Sequence, residues 1–373
     1  MAIAVALLLT GSLVYCVLVL MAVLRYLSVR PAPLRIYEPI SILKPLHGLD
    51  EGLEENLRAC FEQDYIAFEI LFAARDAGDP ALALVEKLRA EYPNVQTKVI
   101  VTGEPPYANA KVYSLEKMLT AARHQLLVMS DSDVLVTPRM LRVIAAEFQD
   151  PKLGIATCPY RAVAGSSIWS TLEAIGMNTE FIAGLVVARM IESVKFAVGP
   201  TIAARRSALQ AIGGFETLQA YLAEDFVMGH LASEKGLGVI LSSYVIEHRI
   251  GSQGFAANVR HRLRWTRSTR RSRPAGYIGQ FFTNPLPIAL ILVAISAAWW
   301  PMLVVTILIR FFAAWCTSFC VLNCTMTARQ WCLLPLQDVV SFLFWTAGFF
   351  GNTVTWRGRK YYLRRDGRFE LIS

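Results

Sequence analysis

The sequence predicts an α/β domain, a mostly parallel sheet with helices on both faces, set between an N-terminal transmembrane anchor and C-terminal membrane segments. Three observations predict it. Between residues 38 and 249, short apolar runs rich in β-forming residues alternate with helical patterns, an order that folds as a parallel sheet under helices. Residues 2–24 carry no charged side chain. The whole chain of 373 residues is 54% hydrophobic, with a mean hydropathy of +0.41, too apolar for an ordinary soluble protein.

The anchor, residues 1–28, is long enough to cross a hydrocarbon core of about 30 Å. It lacks the basic start and small-residue cleavage site of a signal peptide, so it is expected to stay in place. Arg25, Arg30 and Arg35 follow it, which puts the next domain on the cytoplasmic side.

The α/β domain spans residues 36–250. Strands are expected at 40–43, 69–74, 97–101, 126–130 and 153–158, with helices in PALALVEKLRAEY, AKVYSLEKMLTAARH and PRMLRVIAAEFQD. Such sheets bind ligands beyond the carboxyl ends of their strands. Residues 166–192 are apolar but include Glu173, Asn178, Glu180, Arg189 and Glu192. A charge at the bilayer centre costs roughly 2.5–3.5 kcal/mol, so interfacial helices on the acceptor side are expected, with soluble-core helices as the alternative.

Residues 251–280 form a basic amphipathic interfacial segment in which Arg264 and Trp265 are expected inward, and Arg270, Arg271 and Arg273 toward lipid. Residues 281–356 hold membrane segments, and 357–373 form a basic cytoplasmic tail. Three crossings there would leave the tail on the wrong side. One segment is therefore expected to be re-entrant, and Gln337 with Asp338 points to the last.

The net charge is +8 and the isoelectric point about 9.2, but the basic residues flank apolar segments. They fit a lipid bilayer and phosphorylated substrates rather than nucleic acid. The seven cysteines contain no C-x-x-C pair. Cys316, Cys320 and Cys324 share a helical face as packing residues.

Candidate chemistry gathers where strands end. LLVMSDSDVLV carries Asp131 and Asp133 on one face of an extended chain, where like charges repel unless something positive lies near. Asp76 ends an earlier strand. Asn109 and Lys111 open a helix, where an ammonium can meet phosphate. Glu224 and Asp225 open another, although acids favour helix N-termini for electrostatic reasons alone. His230 and His248 read as structural histidines, with His248 placed after a strand as in sites completed by a late histidine. Tyr221 and Gly213-Gly214 are expected to shape an acceptor mouth or a turn.

In this order, SILKPLHG, ARDAGDPA, NAK, SDSD, GPTIAARRSALQAIGGF, YLAEDF, Arg264-Trp265 and WRGR resemble the ceramide glucosyltransferase family of inverting, nucleotide-sugar-dependent glycosyltransferases, over nearly the whole chain. A bacterial branch associated with hopanoid lipid synthesis is similar in the same motifs. The resemblance implies a GT-A type nucleotide-sugar-binding domain on the cytoplasmic face of a bacterial inner membrane. It also implies one sugar moved with inversion from a UDP-sugar donor to a membrane lipid acceptor. UDP-glucose and ceramide follow the family name. UDP-N-acetylglucosamine with diacylglycerol or a hopanoid-pathway lipid follows the bacterial branch.

By the same resemblance, Asp76 and Asp131 contact the uridine and ribose, Asp133 with Asp131 ligates Mg²⁺ or Mn²⁺, and Lys111 sits by the donor. Asp225 is the general base, with Glu224 beside it on the acceptor or leaving-group side. Arg264 stabilises the leaving diphosphate and Trp265 covers the acceptor or sugar. His261 stands where the family has Gln or Arg. A processive polysaccharide synthase and a catalytically inert scaffold are the rival readings. The first needs a larger channel, and the retained acids oppose the second.

Overall fold

The structure is a computed structural model that describes residues 1–30, 33–356 and 358–372. Helix α1 (Ala2–Leu27) leads into strands β1 (Ile40–Pro45), β2 (Phe68–Ala74), β3 (Gln96–Val101), β4 (Leu126–Ser130), β5 (Val134–Leu135), β6 (Leu153–Thr157) and β7 (Tyr160–Ala164). Strands β8 (Thr201–Arg205), β9 (Gly238–Leu241) and β10 (Ile246–Gly251) follow. The main sheet runs β3-β2-β1-β4-β8-β6-β9. All its pairings are parallel except those of β8, which is antiparallel to β4 and β6. Strand β10 pairs with β5 and β7 in a second, small sheet.

The expected strands therefore form within a residue or two. β1 and β4 are buried along nearly their whole length, as central strands covered on both faces must be. Helices α2 (Leu53–Phe61), α3 (Pro80–Glu91), α4 (Ala110–Ala121) and α5 (Met140–Glu147) supply the cover. Local chemistry starts two of them. Asp79 accepts from Ala81 N–H with Pro80 at the first helical position, and Asn109 accepts from Val112 N–H, each satisfying an orphan donor.

Within the 166–192 stretch, residues 168–192 make one helix, α6 (Ile168–Gly176) and α7 (Ile182–Glu192) joined by a π turn. Ile182 and Val186 of α7 pack with Cys16, Val19 and Val23 of α1. Polar residues here find protein partners: Asn178 bonds both Ala162 N–H and C=O, at 2.7 and 2.9 Å. Glu180 accepts from Thr283 and Asn284.

Short helices α8 (Arg206–Ala211), α9 (Gly214–Leu218) and α10 (Glu224–Glu234) complete the domain. Gly213 and Gly214, both at positive φ (90° and 69°), form the turn between the first two.

Beyond it lie α11 (Phe255–Ser272), α12 (Pro274–Gly279), α13 (Pro285–Ile295), α14 (Trp300–Trp315) and α15 (Ala328–Gly348). Among the described residues, Ala2–Leu27, Ile168–Glu192 and Ala297–Val321 are long and apolar enough to cross a membrane. Pro274–Thr283 with Pro285–Ile295, bent by 58°, makes a fourth if it acts as one span. A sharp break thus falls before α13, while the last segment, α15, where a re-entrant stretch is expected from Gln337 and Asp338, is not among these candidate spans. In α15 Gln337 accepts from Arg262, and Asp338 accepts two bonds of 2.8 Å from Arg310.

One expectation changes. Arg270, Arg271 and Arg273 face protein rather than lipid: Arg270 donates to Gly351 C=O and Asn352, Arg271 to Asn352, and Arg273 pairs with Glu192. The basic tail folds into an antiparallel sheet, β11 (Thr353–Trp356), β12 (Arg359–Leu363) and β13 (Phe369–Leu371). Arg357 of the WRGR run lies outside the described residues.

Candidate active site

The D-x-D segment leaves β4 at the carboxyl edge of the sheet and is held by its backbone. The ammonium of Lys44, fully buried on β1, donates to Asp131 C=O at 2.5 Å, Ser130 Oγ at 3.3 Å and Val134 C=O at 3.4 Å. Asn56 donates to Ser132 C=O, and Asp131 N–H to Pro200 C=O. With the turn pinned from both sides, the two carboxylates have little freedom to separate.

Different cations relieve them. Lys111 meets Asp131 at 2.8 Å and Glu224 at 3.3 Å. Its burial disfavours charge, yet the facing carboxylates outweigh that and raise its pKa. Burial pushes Asp131 up while Lys111 pulls it back. We read the group as one ammonium between two carboxylates. His248, on β10 directly opposite Val134 in the register, approaches Asp133 through Nε2 at 3.2 Å. Burial alone would raise Asp133, but the imidazole beside it holds the carboxyl below its ordinary value. Burial would lower His248, and the same carboxylate raises it.

Asp225 lies across a cavity whose lining includes Lys111, Asp131, Gly199, Glu224 and Met228. Burial, then the neighbouring Glu224 charge, pushes its carboxyl up to about 7, where it can exchange a proton near neutrality. Gly199 makes this approach possible: a Cβ there would stand 2.9 Å from Asp225 Oδ2. Asn109 ties the two motifs together, its Nδ2 donating to Tyr221 C=O at 2.9 Å and Glu224 at 3.3 Å.

The RW helix, α11, which carries Arg264 and Trp265, connects to His248 through a run of rings. His248 meets Tyr160 (centroids 5.4 Å), Tyr160 meets Phe181 (5.3 Å), Phe181 meets Trp265 (6.0 Å), and Trp265 meets His261 (5.4 Å). His261 Nδ1 is 2.6 Å from Glu173, a buried carboxylate that also accepts from Asn258. Trp265 is thus inward, and Arg264 is half-buried on the same helix.

The structure gathers Lys111, Asp131, Glu224 and Asp225 at one cavity, with Asp133 on the same turn. Asp76 is not in that group. It is exposed at the end of β2, two strands and about 10 Å along the sheet from β4. It adjoins Arg75, which with Leu46, His47, Thr102 and Tyr113 lines a second recess. His230 points outward, paired with Glu234. Sequence reasoning gave no role to Lys44, Tyr160 or Gly199, and it treated His248 as structural. A lysine inside an apolar strand was the available signal for Lys44, and the late post-strand position the one for His248.

Among the described residues no three His, Cys, Asp or Glu side chains are placed to hold a cation by themselves. Asp133 Oδ1 is nonetheless buried without a partner, as is His248 Nδ1. These two atoms, a carboxylate oxygen and an imidazole nitrogen, are the residues' contribution that would fit a divalent ion.

The fold and sequence have known counterparts. Against ceramide glucosyltransferase 1 of Caenorhabditis elegans the chain is 28% identical over 207 residues, 55% of this chain and 44% of that protein. Against ceramide glucosyltransferase 3 of the same organism it is 24% identical over 229 residues, 61% and 50%. The chain thus spans about half the length of these curated relatives. A mannosyltransferase from Pyrobaculum calidifontis, solved with GDP-Man and Mn²⁺, superposes with a TM-score of 0.58 at 18% identity, covering 92% of this chain and 99% of the other. That likeness places the domain in the GT-A type of fold. The model of Glycosyl transferase family 21 matches residues 4–369, and the chain belongs to that family.

Proposed function

We propose that the protein is a membrane-bound transferase that moves one sugar from a UDP-sugar to a lipid hydroxyl with inversion. UDP-glucose and ceramide are the preferred pair, giving a β-glucosyl lipid. The observation that carries this reading is the placement of Asp225. A buried carboxyl with a pKa near 7 shares one cavity with the Lys111–Asp131 pair, and the domain holding it is packed on apolar helices that can enter a bilayer.

In this reading the nucleoside lies along the carboxyl edge of the sheet from Asp76 toward Asp131, and its diphosphate reaches Asp133. Asp133 and His248 would hold Mg²⁺ or Mn²⁺, which would offset the charge developing on the departing diphosphate. Asp131, engaged by Lys111, serves the donor rather than the metal, a narrower assignment than the sequence supplied. Asp225 takes the proton from the acceptor hydroxyl as its oxygen bonds the anomeric carbon. The bond from that carbon to the diphosphate breaks on the opposite face, which inverts the α-linked donor in a single displacement. Lys111 supplies positive charge between Asp131 and Glu224, so that a polyanionic donor meets a compensated surface.

The lipid enters along the RW helix, where Trp265 and Phe181 offer an apolar wall. Arg25, Arg30 and Arg35 after α1 favour a catalytic domain on the cytoplasmic face of a cell membrane.

Purified protein in lipid nanodiscs, given a panel of labelled UDP-sugars with ceramide, diacylglycerol and hopanoid lipids, tests the reading. Mass and anomeric analysis are expected to return a β-hexosylceramide from UDP-glucose. Transfer from UDP-N-acetylglucosamine instead would reassign donor and acceptor while keeping the reaction type. An α-linked product or no transfer would overturn it.

A further inference from the structure

The C-terminal stretch, read in sequence as the end of the membrane segments and a basic tail, folds at residues 353–356 and 358–372 against the loop that presents Asp225. Val354, Tyr361, Leu363 and Phe369 form the apolar face of the β11–β13 sheet, and that face closes over Leu222, with Ala108 at its rim. Leu222 lies two residues before Glu224, and Ala108 directly precedes Asn109. The sheet therefore sits on both loops that deliver the acidic pair and the lysine motif.

Backbone pairing reinforces the contact. Phe369 N–H donates to Ala220 C=O at 2.9 Å, and Tyr221 and Arg368 form an antiparallel bridge. The Arg368 guanidinium lies over the Tyr221 ring at 5.7 Å. From Tyr221 C=O the path continues through Asn109 to Glu224, and from Glu224 through Lys111 to Asp131.

The opposite edge of the sheet is tied to the RW helix. Arg267 donates to Phe350 C=O at 3.1 Å and Thr353 C=O at 2.6 Å, while Arg270 donates to Gly351 C=O and Asn352. The sheet thus spans the gap between α11 and the start of α10. That start is not capped by its own N-cap residue: Ala223 offers no side-chain hydrogen bond. An uncapped helix end takes its position from whatever holds the preceding loop. Here the preceding loop is held by the C-terminal sheet.

We propose that the C-terminal sheet is a positioning element of the active site, fixing the Ala220–Asp225 segment relative to the RW helix and so setting where the base meets the acceptor. Phe369 and Arg368 are its positioning residues. The inference rests on the reading of Asp225 as the base.

The test uses full-length protein in nanodiscs and compares Phe369→Ala, Phe369→Leu, Arg368→Ala and Asp225→Asn for kcat, donor KM and UDP affinity. Phe369→Ala is expected to lower kcat about tenfold, the size of effect that sub-ångström misplacement produces, with donor KM and UDP affinity within about twofold. Phe369→Leu should recover most of kcat, because it keeps the apolar contact. Arg368 is exposed and its loss leaves the core intact, so Arg368→Ala keeps the test informative even if Phe369→Ala does not fold. Its kcat is expected to fall about threefold with donor KM unchanged.

Wild-type kcat in Arg368→Ala and in any folded Phe369→Ala, alongside an inactive Asp225→Asn, would overturn the positioning role and leave the base in place. Loss of UDP affinity in step with kcat would also overturn it, since that is what a merely structural role produces. Turnover retained in Asp225→Asn would remove the base assignment itself.

Discussion

Gly199→Ala is the most revealing single substitution, because it touches the proposed base and little else. A Cβ built at residue 199 would stand 2.9 Å from Asp225 Oδ2 and 3.7 Å from its Cγ, and no other atom falls within 4 Å. Ordinary contact begins near 3.4 Å, so the carboxylate has to retreat by about 0.5 Å, the tolerance to which catalytic groups are held. A displacement of about 1 Å costs on the order of 100-fold in rate. Half of it is therefore expected to lower kcat about tenfold, or ~1.4 kcal/mol of barrier.

The backbone at Gly199 does not lie in the left-handed region, so alanine there should leave stability unchanged or raise it by about 0.4–1 kcal/mol. Steady-state kinetics in nanodiscs, UDP calorimetry and thermal unfolding check the whole pattern. A tenfold fall in kcat with intact UDP affinity and an unchanged or higher Tm is the expected result. Wild-type kcat would show that the position of the Asp225 carboxylate does not limit the reaction.

Three further outcomes are expected. Because the Asp225 carboxyl sits near 7 through burial and the Glu224 charge, and a base must be ionised to act, kcat should rise with pH through about 7 and level off above it. A flat profile across roughly pH 5–8 would contradict the assignment. Asp133→Ala and His248→Ala should each raise the donor KM, and the His248→Ala defect should be eased by excess Mn²⁺; activity indifferent to chelators would remove the metal from the account. Arg310→Met should cost roughly 3–5 kcal/mol by leaving Asp338 buried and unpaired. The double variant Arg310→Met/Asp338→Leu should regain most of that loss in detergent unfolding midpoints, whereas an equally unstable double variant would contradict the pairing.

The fold was legible because its strongest signals are periodic. The buried strands β1, β2, β4 and β6 are apolar runs bounded by turn residues, and α3 and α4 begin at an Asp-Pro and an Asn that cap them. What escaped was non-local. TIAAR carries no mark that β8 would insert antiparallel between β4 and β6, since strand direction depends on the path of the chain through α6 and α7. Residues 357–373 read only as a basic tail because charge dominates their composition, while Tyr361, Leu363 and Phe369, which seat the sheet on Leu222 together with Val354, are scattered.

The site shows the same division. Asp131, Asp133, Lys111, Glu224 and Asp225 could be nominated from residue type at strand ends and helix starts. Their pairing could not: Lys111 bridges Asp131 and Glu224 across 93 residues of chain, and His248 reaches Asp133 only because β10 pairs with β5. Within the protein, the D-x-D repulsion is met residue by residue. One carboxylate is met by an ammonium and the other by an imidazole, with one oxygen of Asp133 left over.

Asp225→Asn tests the centre of the account most directly. With UDP-glucose and ceramide in nanodiscs, the variant should bind UDP as the wild type does while turnover falls by about 100- to 10,000-fold, the contribution of a positioned base. Turnover at the wild-type level, or loss of UDP binding in proportion to rate, would contradict it.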